Sequence, residues 1–130
     1  VLKHRLSWSP ITVNTGNTTT DLTAGTIYDI FTANAVNDSF VREITFRPLG
    51  TNVVTVARIW INNGLTSATA ANNTLLTEIT LPATTVSQVA ALLDSTMCLN
   101  MGLPAGYKIY VTLGTTVASG FDVIVKGGDY

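Results

Sequence analysis

The sequence predicts an all-β domain, an eight-stranded antiparallel sandwich with a jelly roll as the favoured connectivity and an immunoglobulin-like sandwich second. Three observations predict it. Apolar residues recur with a period of two, turn residues punctuate them every 8–15 residues, and the composition suits half-exposed sheets. Hydrophobic residues make up 46% of the 130-residue chain and charged residues only 12%. Ordinary soluble domains carry about 25% charged residues, so something else must solvate this surface. Thr and Asn take that place, Thr on pleated surfaces and Asn in turns.

The alternation is clearest in three segments. In VVTVARIWI (53–61), Val53, Thr55, Ala57, Ile59 and Ile61 share one face, and Arg58 and Trp60 take the other. In YKIYVTL (107–113), Tyr107, Ile109, Val111 and Leu113 oppose Lys108, Tyr110 and Thr112. In FDVIVK (121–126), Phe121, Val123 and Val125 point inward. One packed and one solvated face require this pattern. Strands are expected near 8–13, 25–33, 39–48, 53–62, 74–81, 96–101, 106–113 and 119–127. Pro10, Pro48, Pro82 and Pro104 fall at expected strand ends or in loops, because proline cannot donate to a sheet ladder. The segment 85–94, with Val86, Val89, Ala90 and Leu93 at helical spacing, reads either as a single helical turn or as a loop crossing between sheets. The long connections at 64–73 and 82–95 suit the returns of a jelly roll.

Residues 1–130 form one domain on this reading, with 1–9 as an N-terminal arm. VLKHRLSWSP mixes basic and apolar residues and lacks the pattern of a signal peptide. No run approaches the roughly 20 apolar residues of a membrane helix. The net charge is −1 and the cations are scattered, so a nucleic-acid footprint is missing unless folding gathers Arg42, Arg47 and Arg58 on one face. Cys98, the only cysteine, reads as buried filler in a strand.

Catalytic machinery has little to draw on. His4 is the single histidine and lies in the arm, a poor place for the base of a nucleophilic triad. One Cys and one His cannot complete a zinc site. The aspartates are too dispersed for a calcium loop, and Glu43 and Glu78, the only glutamates, occupy outward strand positions. No catalytic residue, cofactor or metal is expected, and the chain reads as a non-enzyme. Candidate interface residues are the arm residues Val1, Leu2, Lys3, His4, Arg5, Leu6 and Trp8, together with Trp60 and Tyr110, aromatics that the alternation sets opposite the packed faces.

The segments VTVARIWINNGLTSATAANNTLLTEITLPATT and LPAGYKIYVTLGTTVASGFDVIVKGGDY resemble small virion proteins of tailed bacteriophages, in particular jelly-roll capsid decoration, or cement, proteins. The likeness, which runs from about residue 53 onward, covers a little over half the chain and contains no signature site. It implies a structural homo-oligomer, commonly a trimer, on the capsid surface, bridging and stabilising subunits of the major capsid protein. No nucleic acid or membrane is implied as a partner. The competing expectation is a receptor- or carbohydrate-binding module of a phage tail or fibre, using Trp60 or Tyr110.

Overall fold

The computed structural model describes residues 2–8 and 12–130, Trp8 by its backbone alone. Eight strands form two four-stranded sheets: β1 (Lys3–Trp8), β2 (Tyr28–Thr32), β3 (Ser39–Pro48), β4 (Thr55–Asn62), β5 (Asn73–Leu81), β6 (Ser95–Leu103), β7 (Lys108–Leu113) and β8 (Phe121–Asp129). The first sheet has the order β1-β8-β3-β6 and the second β2-β7-β4-β5. All pairings between strands are antiparallel. The first strand pairs with the eighth, the second with the seventh, the third with the sixth and the fourth with the fifth. This is one long hairpin rolled up so that alternate segments fall in opposite sheets, the jelly-roll arrangement.

The inward sides of both sheets build one core. Phe46, Phe121, Ile44, Val41, Val123 and Val125 come from the first sheet, and Ile59, Ala57, Ile109, Val111 and Leu113 from the second. All are at most 1% exposed. The alternation of β4, β7 and β8 made this side legible, because every second side chain must leave water.

Three expectations need correction, and one open alternative is decided. First, the initial strand begins earlier than 8–13. Lys3–Trp8, read as an arm, pairs with β8 in register from Lys3↔Asp129 to Trp8↔Ile124. Residues 9–11 lie outside the described residues, and Val13 keeps an isolated bridge to Phe121 within the core. Second, of the two readings of 85–94 the structure has the loop crossing between sheets and no helix. It is a connection from β5 to β6 whose apolar residues find no packing surface, with Val89 97% and Leu93 83% exposed. Third, Cys98 lies in a strand but on its exposed side. Fourth, Val53 lies ahead of β4 and is exposed.

Candidate functional site

Arg42 and Arg47 lie on β3 of the first sheet and Arg58 on β4 of the second, so folding does not gather the three arginines. Glu43 and Glu78 are likewise on different sheets. Glu43 Oε1 lies 3.2 Å from Lys126 Nζ and 3.7 Å from Arg42 Nη2, and Glu78 Oε2 lies 3.4 Å from Arg58 Nε. Among the described residues, no three His, Cys, Asp or Glu side chains converge as a metal site would require. No helix among them is long and apolar enough to cross a membrane.

The expected interface residues separate into three groups. Trp60 and Tyr110 are register partners on the outward side of the second sheet, as the alternation indicates. Trp60 is nevertheless only 2% exposed, and its Nε1 donates to Thr112 Oγ1 at 3.0 Å. Leu22 and Trp60 are the fully covered apolar residues that stand outside the main core. The segment before β2 accounts for this. Asn17 N donates to Leu113 O, and Asn73 Nδ2 at the head of β5 donates to Asp21 O. The 14–27 segment is thus laid across the outward side of the second sheet and roofs Trp60.

This roof is held locally. Asn17 donates to Ala24 O and Thr26 O, and Asp21 accepts from the Thr23 hydroxyl and amide. The Thr23 hydroxyl, with the Thr23 amide second, holds the Asp21 carboxyl below its ordinary value. Leu22 adopts φ 66°, a left-handed conformation that leucine rarely takes, while being fully buried. Sequence periodicity assigns a residue to a side of a sheet but cannot reveal a loop folded over that side. Trp60 is therefore corrected from a surface interface residue to a second small core. Tyr110 remains half-buried.

Trp60→Ala is expected to lower stability by about 3–5 kcal/mol, the usual cost of emptying a buried aromatic site. Chemical denaturation checks it. A loss below about 1 kcal/mol would mean that the roof contributes little packing.

Arg5 is the second correction. Its Nη2 donates to Thr32 O at 2.7 Å, its guanidinium stands 4.0 Å from the centre of the Phe31 ring, and its Nε is 3.6 Å from Asp129 Oδ1. Phe31 and Thr32 belong to β2, so Arg5 ties an edge of the first sheet to the second within its own subunit.

Leu2, His4 and Leu6 form the third group. They remain exposed, with Leu2 at 39% and Leu6 at 54%. With Phe40, Arg42 and Lys126 they line an open groove of about 430 Å³ on the outward side of the first sheet. Lys3 is exposed on the same strand. Val1 and the Trp8 side chain lie outside the described residues.

β8 carries Gly127 and Gly128 where it passes between β1 and β3, and Gly127 is part of the groove lining. Gly127 pairs with Arg5 and Val41, and Gly128 with His4 and Phe40. A Cβ on Gly127 would run into the Phe40 carbonyl oxygen, and one on Gly128 into the Lys3 carbonyl oxygen. The paired glycines permit the close backbone approach; Gly128, in register with the outward His4 and Phe40, puts no side chain on the outward side of β8, whereas Gly127 is in register with the inward Arg5 and Val41. The sequence expectation of a strand near 119–127 stops at the first of these glycines, whereas β8 runs on through both to Asp129.

The opposite end of the sandwich is different. β1 and β8 face β2, which sets β6 opposite β5. Both are edge strands of nine residues. β6 has no charged residue, and Glu78 is the only one in β5. Their inward residues Ile79, Met97 and Leu99 are only partly covered, and Leu75 and Leu76 are 40% and 37% exposed.

Comparison with protein-family models, with curated proteins and with solved structures returns no match for this chain.

Proposed function

We propose that this chain is a non-enzymatic structural subunit of a virus particle, a decoration protein that self-associates, as a trimer, and binds the outer surface of a phage capsid to bridge its major subunits. The observation that carries the reading is the open β5–β6 side. Edge strands are normally protected by charge, proline or a covering element, because their unpaired N–H and C=O groups invite another chain. Here two adjacent edges are almost free of charge, and the core behind them is left half-covered. Burying that side against further copies completes the core and shields both edges. A rigid jelly roll with a self-complementary side suits an assembly protein, in which many weak contacts sum to firm attachment. The likeness of residues 53–85 and 103–130 to phage virion proteins directs the proposal to capsids. The carbohydrate-binding reading draws on Trp60 or Tyr110 as an exposed platform; Trp60 is covered and Tyr110 is half-buried.

Light scattering of the purified chain at micromolar concentration should give a trimeric mass, and Leu99→Asp should give folded monomers. Cryo-electron microscopy of the particle should then show the protein in many copies over the shell. A monomer that Leu99→Asp does not alter would overturn the self-association. A few copies confined to the tail would overturn the decoration role.

A further inference from the structure

The groove across β1, β8 and β3 lies at the other end of the first sheet from β6, so self-association through the β5–β6 side leaves it open. Its chemistry has two parts. Leu2, Leu6 and Phe40 supply apolar surface, and Arg42 and Lys126 supply charge. Glu43 Oε1 sits 3.2 Å from Lys126 Nζ and 3.7 Å from Arg42 Nη2, and so neutralises one of these two cations. Arg5 borders the groove but turns to β2 and is offset by Asp129, and Lys3 alternates with the outward Leu2 and His4 onto the other side of β1. Arg42 and Lys126 against Glu43 therefore leave the groove one net positive charge on a chain whose total is −1, so the remainder of the molecule carries −2. The sequence sets these two cations at residues 42 and 126, and the rolled topology brings them together.

We propose that this groove binds an extended acidic segment of a partner protein that carries alternate apolar side chains. Gly128, on the outward side of β8, admits a peptide close to the sheet there. Leu2, Leu6 and Phe40 receive its apolar side chains, and the rim cations receive its carboxylates. The charge balance selects an acidic partner, and the apolar lining selects a peptide over a sugar-phosphate chain, which would leave that lining in water. The site is separate from the self-association side, so either can fail without the other.

The test is a nuclear magnetic resonance titration of the isotopically labelled chain with a blocked octapeptide of alternating leucine and glutamate. A twin with lysine in place of glutamate, and an oligothymidylate, serve as controls. The acidic peptide should shift the amides of Leu6, Phe40, Gly127 and Gly128, and added salt should weaken it. Arg42→Gln combined with Lys126→Gln should weaken binding about tenfold, the sum of two modest exposed ion pairs. Leu6→Asp, at an exposed position of an edge strand, should also weaken it with the fold intact by circular dichroism. Absence of shifts, equal binding of the lysine twin, shifts confined to the β5–β6 side, or displacement of the peptide by the oligothymidylate would each overturn the proposal.

Discussion

Asn52→Ala is expected to cost about 3–5 kcal/mol, a large share of the roughly 5–15 kcal/mol by which a domain of this size is stable. Asn52 is 3% exposed and sits between β3 and β4. Its Oδ1 accepts from the amides of Ser119 and Gly120 at 2.9 and 2.8 Å, and its Nδ2 donates to Gly120 O at 3.0 Å. Its backbone forms a two-way bridge with Thr84, donating at 3.1 Å and accepting at 2.9 Å. One side chain thereby fastens the turn before β8, while its main chain holds the start of the β5–β6 connection. Alanine keeps the main-chain bridge but strands the N–H groups of Ser119 and Gly120, each costing about 1–3 kcal/mol when buried without a partner, while Gly120 O keeps the Leu49 amide as donor. The urea midpoint should fall with little change in slope. Asn52→Asp retains both acceptor bonds but turns an oxygen toward Gly120 O, so it should fall between wild type and Asn52→Ala. A midpoint shift equivalent to less than about 1 kcal/mol for Asn52→Ala would show that water substitutes for the amide.

Gly127→Ala is expected to be as damaging, by about 3 kcal/mol or more, through a different mechanism. The added methyl meets the Phe40 carbonyl oxygen and lies 3.1 Å from both the Phe40 carbonyl carbon and Val41 Cα. These are backbone atoms of a central strand and cannot rotate aside, so β8 must separate from β3 or the strands must buckle. Gly102→Ala is the matched control. Gly102 is the partner of Phe40 on the other flank of β3, and a Cβ there would meet nothing within 4 Å. Its substitution should stay within about 0.5 kcal/mol of wild type. Equal effects of the two alanines would refer the loss to glycine's backbone freedom, and the close strand approach would have no energetic role.

These residues also show what the sequence makes legible. β3, β4, β7 and β8 follow from period two because each has one side in the core. β1 does not, because KHRLSW is an edge strand whose polar side chains reach solvent or, as with Arg5, cross to β2. The outward placement of Trp60 and Tyr110 was readable, whereas the covering of Trp60 depends on a loop whose course is set by long-range bonds from Asn17 and Asn73. The helical spacing at 85–94 misleads because spacing forms a helix only where its apolar stripe meets a surface. The groove was least visible of all. Its lining comes from residues far apart in the chain, and the sequence singles out those near the start, Leu2, His4, Arg5 and Leu6, but not Phe40, Arg42 or Lys126 as their neighbours.

The rolled pairing also governs the order in which the molecule can form. Among the described residues, the β4–β5 hairpin is the only strand pair consecutive in the chain, and each pair outward from it closes a longer loop. β8, the last strand, lies inside the first sheet between β1 and β3. During synthesis, β1 and the β8-facing flank of β3 wait without a neighbour until Phe121–Asp129 leave the ribosome, and their ladder groups stay open meanwhile. Assembly therefore spreads from the middle of the chain to its ends, on the millisecond-to-second scale of proteins dominated by distant contacts. The Lys3-to-Arg5 charge on the waiting β1 would discourage premature pairing with another nascent copy.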